Sequence, residues 1–90
     1  MEIYKEEKLL KIIEDNVLEI LEDLSDIPRK KINLDARLIE DLRISSDDLS
    51  FVLALQLQKR LKIKIPLYEW EQVHTVSDTI KLFEKYGMMN

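Results

Sequence analysis

Two adjacent serines, Ser45 and Ser46, stand immediately before Asp47 and Asp48 at the head of a helical run, and they are the residues best placed for chemistry. A serine at a helix start is ordinarily just a cap, accepting an N–H of the first turn. Two serines change that geometry. With Ser45 as the cap, Ser46 falls at the first helical position, where its hydroxyl is unpaired, exposed and free to be modified. A phosphodiester there would also lie near free amides at the positive end of the helix.

Other chemistries are poorly provided for. The chain has one histidine, His74, and no cysteine. Disulfides, thiolate nucleophiles and cysteine-ligated metals are therefore excluded, which fits a reducing compartment. A Ser-His-Asp triad would need His74 beside a serine, and nothing in the sequence suggests that arrangement. His74 reads instead as a surface or helix-boundary residue. No His/Cys/Asp cluster has metal spacing, and glycine-centred calcium and phosphate loops are absent. The basic cluster Lys59, Arg60, Lys62 and Lys64 reads as a solvated helix end, with a docking patch for an acidic partner as the alternative.

The elements that must position Ser46 follow from apolar spacing. Ninety residues allow one domain, residues 1–90. Leu9, Leu10, Ile12, Ile13, Val17, Leu18, Ile20, Leu21 and Leu24 recur at helical spacing and predict a helix over 4–24. Pro28 follows its end. Residues 26–44 show no sustained period; Ile32, Leu34, Leu38, Ile39 and Leu42 should pin this loop to the core, with a helical turn near 37–42. A second helix is predicted over 46–61, with Leu49, Leu53, Leu57 and Leu61 inward and Phe51 and Leu55 pointing away. Residues 62–65 alternate and read as an extended connector burying Ile63 and Ile65. A short helix over 66–73 should turn Leu67, Trp70 and Val73 inward. Thr75-x-x-Asp78 resembles a capping box and starts a last helix over 76–86, with the stripe Val76, Ile80, Phe83 and Tyr86 and with Gly87 as its stop. One glycine and two prolines leave few tight turns. The expected fold is all-α: a small bundle of three main helices plus one short helix, with a long first loop.

Charge narrows the partners. Residues 1–50 hold 14 acidic and 8 basic side chains, and residues 51–90 hold 4 and 6. The acidic first half argues against nucleic acid as the main partner. No basic segment followed by an apolar run opens the chain, and the longest apolar run, 51–55, is too short to span a membrane. A soluble, cytoplasmic monomer is expected.

The stretch Ile32-Asn33-Leu34-Asp35-Ala36-Arg37-Leu38-Ile39-Glu40-Asp41-Leu42-Arg43-Ile44-Ser45-Ser46 resembles, without a gap, the loop, helix start and modified serine of the acyl carrier protein family. Ile63-Lys64-Ile65-Pro66 is similar to the stretch after that family's second helix, and His74-Thr75-Val76-Ser77-Asp78 to the opening of its last one. The resemblance covers nearly the whole chain. It implies that Ser46 carries 4′-phosphopantetheine, delivered from coenzyme A by a magnesium-dependent phosphopantetheinyl transferase. The arm ends in a thiol that holds acyl or aminoacyl groups as thioesters, and acyl-loading and acyl-accepting enzymes are the implied partners. Ser45 would cap, Asp47, Asp48, Phe51, Leu55 and Lys59 would meet partners, and Leu49, Leu53, Ile65 and Trp70 could shelter the cargo. Three departures stand out. The family's Asp-Ser-Leu is here Ser45-Ser46-Asp47. The second helix is one residue longer than usual between Ser46 and Pro66. That helix also ends in Lys59 and Arg60 where the family's is acidic, which points to partners in a specialised pathway. The altered motif and the outward Phe51 and Leu55 equally suit an unmodified interaction module; an independent enzyme lacks any acid, base and nucleophile set.

Overall fold

The computed structural model describes residues 2–87, with side chains from Lys8 onward. The first helix, α1, runs Glu2–Ser25. Its apolar stripe is wide, so it packs against both other long helices. Ile13, Val17, Ile20 and Leu21 are buried to 2% exposure or less, whereas Ile12, expected in the stripe, is exposed. The helix stops because Asp26 adopts a left-handed conformation, φ 59°, and its N–H donates to Glu22 O at 3.0 Å. Pro28 then prevents continuation.

The long loop is tied down rather than structureless. A 3₁₀ turn, Arg29–Lys31, follows Pro28, and Arg29 pairs with Asp15 of α1. Residues 37–42 form the expected turn, with the N–H groups of Asp41 and Leu42 both donating to Arg37 O. The Arg37 guanidinium and backbone N–H also hold the Asp41 carboxylate, at 2.8–3.2 Å, and these bonds keep its pKa below the usual carboxylate value. Ile32, Leu38, Leu42 and Ile44 anchor the loop in the core. Leu34 and Ile39 do not: both are exposed, Ile39 because the adjacent Leu38 takes the core-facing position.

The second helix is continuous over 46–61, but it is not uniform. Its middle, Asp48–Leu53, is π-helical, and α2 proper is Ala54–Leu61. The Ala54 N–H donates to Leu49 O, five residues back, so this turn encloses one residue more than an α turn. Leu53, Ala54 and Leu57 are buried and Leu49 and Leu61 half-buried, while Phe51 and Leu55 point out, as their spacing requires. Lys62, at φ 56°, ends the helix.

Residues 63–66 are an extended connector burying Ile63 and Ile65, with the Ile65 N–H held by Gln58 Oε1 at 2.8 Å. The short helix, Leu67–Gln72, is 3₁₀. Trp70 and Val73 pack on the core, but Leu67, at the first position of the same 3₁₀ face, is 71% exposed: that face reaches the core only from its second turn onward. The last helix, α3, is Val76–Gly87. Its capping box is complete, since Asp78 N–H donates to Thr75 Oγ1 and Asp78 Oδ2 accepts from the N–H groups of Thr75 and His74. Gly87 is the last described residue of α3 and has no left-handed geometry, so its expected role as a stop falls at the edge of the described residues; its small size serves close packing, since a Cβ there would meet Ile63 at 3.1 Å and Leu9 at 3.3 Å. The architecture is an all-α bundle of three main helices, one short helix and a long first loop.

Candidate functional site

The site is built where the second helix begins. Ser45 Oγ accepts the Asp48 N–H at 3.1 Å, and Ser45 O accepts the Leu49 N–H at 3.0 Å. Ser45 is thus the cap of the whole helix. Ser46, at the first helical position, is exposed, and its hydroxyl makes no hydrogen bond among the described residues. The Ser46 and Asp47 amides have no helical carbonyl behind them, so they face outward at the positive end of the helix.

Beside Ser46 opens a cleft of ≈ 320 Å³, walled by Ile39, Leu49, Trp70 and Val73 and edged by Ser50, Glu71 and His74. Two of the residues read as sheltering a cargo, Leu49 and Trp70, are in this cleft. The other two are elsewhere: Leu53 is sealed in the core, and Ile65 lines a different groove. Trp70 meets Phe83 edge to face, with ring centroids 5.6 Å apart. Its buried Nε1 has no hydrogen-bond partner among the described residues.

The cleft exists because the loop is strapped to the head of α3. Leu38 N–H donates to His74 O at 2.8 Å, Val76 N–H to Ala36 O at 3.1 Å and Ser77 N–H to Leu34 O at 2.9 Å, around an isolated bridge between Arg37 and Thr75. This pairing carries Ile39 and His74 to the side of Ser46. Spacing along the chain holds no sign of it. Ser50, by contrast, lies four residues after Ser46 and could have been placed on the same helical face. The Asp78 carboxyl helps fix the strap. Burial alone would raise its pKa, but the N–H groups of His74 and Thr75 and the Thr75 hydroxyl hold it below the usual value.

Asp47, Phe51, Leu55 and Lys59 are all exposed along the second helix, and Asp48 is half-buried. No group of three or more His, Cys, Asp or Glu side chains among the described residues is arranged to hold a metal. No described helix is long and apolar enough to cross a membrane.

No family model matches the chain. A curated acyl carrier protein of Akkermansia muciniphila is 32% identical over 73 residues, which are 81% of this chain and 90% of that relative. A match of that identity along almost the whole relative, on an all-α bundle with a capped serine pair at the second helix, means that the chain belongs to the acyl carrier protein family.

Proposed function

We propose that Ser46 bears a 4′-phosphopantetheine arm, on which the protein carries an acyl or aminoacyl group between partner enzymes of a specialised pathway. Members of the family are carriers, not enzymes. The observation that supports the arm at Ser46 is the division of labour in the serine pair: Ser45 Oγ takes the cap and leaves Ser46 exposed. The residues around it suit such a group. Outward amides at the helix head favour a phosphodiester, the apolar wall of Ile39, Leu49 and Val73 can receive an acyl chain, and the unpaired Trp70 N–H is a donor for a carbonyl of the arm or its cargo. The arm's terminal thiol supplies the thioester chemistry a cysteine-free chain lacks. In the transfer, the Ser46 hydroxyl displaces adenosine bisphosphate from coenzyme A and gives up its proton. Asp47, Asp48, Phe51, Leu55 and Lys59 would then meet the partner enzymes.

The test is intact mass after incubation with coenzyme A, magnesium and a phosphopantetheinyl transferase. One phosphopantetheine should be added to the wild type and none to Ser46→Ala; no gain with several different transferases would sink the reading.

Phe51 and Leu55, 66% and 57% exposed, favour one alternative, an unmodified carrier-like module that binds partners through its second helix. There, Ser46→Ala would leave partner binding intact, and Phe51→Ala or Leu55→Ala would weaken it.

A further inference from the structure

A second groove, ≈ 690 Å³, shares no lining residue with the Ser46 cleft. It runs between α2 and the connector, over Leu55, Ile65, Pro66 and Tyr86, with Lys59 and Lys64 on its walls. Four large hydrophobics are the most exposed among the described residues, and one of them lines the groove while the others adjoin its lining residues in the chain or in space. Leu55 lines it, Phe51 lies one turn earlier on the same helix, Leu67 follows Pro66, and Tyr68 neighbours Tyr86. The wall is preformed, because Gln58 holds the Ile65 backbone. No carboxylate lines the groove. Lys59 and Lys64 have no ion-pair partner among the described residues, although their neighbour Arg60 pairs with Glu19 at 3.1 Å.

We infer that this groove is a docking site for an acidic amphipathic helix of a partner protein. Apolar side chains of that helix meet Leu55, Ile65 and Pro66, and its carboxylates meet Lys59 and Lys64. Two features select this occupant. An open trough cannot enclose most of a small molecule's surface as ligand pockets do, whereas a helix can lie along it. Two lysines with no ion-pair partner among the described residues, on an otherwise acidic chain, set the sign of the partner. The inference stands whether or not Ser46 carries an arm.

The test uses two synthetic amphipathic helices with one leucine stripe, flanked by glutamates in one and lysines in the other. Titration into ¹⁵N-labelled protein should shift the amides of Leu55, Lys59 and Ile65 with the glutamate helix only, and added salt should weaken the effect. Lys59→Glu with Lys64→Glu should weaken that binding about tenfold while circular dichroism stays unchanged; Lys59→Gln serves if the double variant does not fold. Equal binding of the two helices, shifts confined to the Ser46 cleft, or sedimentation showing that the groove is covered by a second copy would each overturn the assignment.

Discussion

At the head of the second helix, one hydroxyl caps while its neighbour stays free, and the two roles can be separated by substitution. Ser45→Ala removes the bond to the Asp48 N–H and should cost about 1 kcal/mol, read from denaturant unfolding. Ser45→Asp should restore the loss, since aspartate caps as well as serine, and it also restores the acid the family usually carries before its serine. A faster arm transfer for Ser45→Asp at unchanged stability would separate recognition by the transferase from folding. At the second groove, the Tyr86 hydroxyl donates to the Glu69 carboxylate at 2.6 Å. That bond, with burial and the Glu69 charge, pushes the Tyr86 pKa up from 10.0 to about 12. A pKa raised by folding contributes stability that is intact below the unfolded value and lost as pH rises through the folded one. The wild type should therefore lose part of its advantage over Tyr86→Phe between pH 10 and about 12, followed by urea unfolding across that range. An advantage that stayed constant would mean the hydrogen bond does not couple to folding.

Among the elements, the second helix carries the most information about the site. Its leucine stripe, outward Phe51 and Leu55, and serine cap were legible in the sequence because period and capping are local. The π turn was legible only as a surplus, one residue more between Ser46 and Pro66 than the family usually has. The turn over Asp48–Leu53 absorbs that surplus. Ser46 therefore remains at the helix head while Leu53 and Leu57 remain in the core. Without it, one end of the helix would be rotated by about 100° and shifted by about 1.5 Å against the other. Deleting Ser50 should accordingly give a regular α-helix, with a stability change below about 1 kcal/mol and Ser46 still modifiable. Deleting Gln56, in the regular stretch, should throw Leu57 out of register and cost several kcal/mol, seen as a lower urea midpoint. What spacing did not reveal is the pairing of residues 34–38 with 74–77. Those bonds join segments about forty residues apart, and residues 34–38 have no period of their own. Leu34 and Ile39 were misread for the same reason: outside a regular helix, an apolar residue's direction is set by such long-range bonds.

The whole molecule has one buried cluster to which all its long elements contribute, and its margin is small. At about 0.05–0.15 kcal/mol per residue, a chain of this length holds roughly 5–13 kcal/mol of folding stability. Phe83 is fully buried and is the edge-to-face neighbour of Trp70, so it joins the core to the cleft beside Ser46. Phe83→Ala should cost about 3–5 kcal/mol, a large part of the total. The exposed pair between Arg60 and Glu19 should be worth less than about 1 kcal/mol, so Arg60→Ala is a useful contrast. The substitutions also separate two ways of losing arm transfer. Ser46→Ala removes the proposed acceptor and should leave the bundle intact, so transfer should vanish at every urea concentration. Phe83→Ala leaves the acceptor and weakens the bundle, so transfer should fall only as the folded fraction falls, at lower urea than in the wild type. If instead Phe83→Ala abolished transfer while unfolding at the wild-type midpoint, the Trp70–Phe83 contact would be acting on recognition of the helix head and not on the stability of the core.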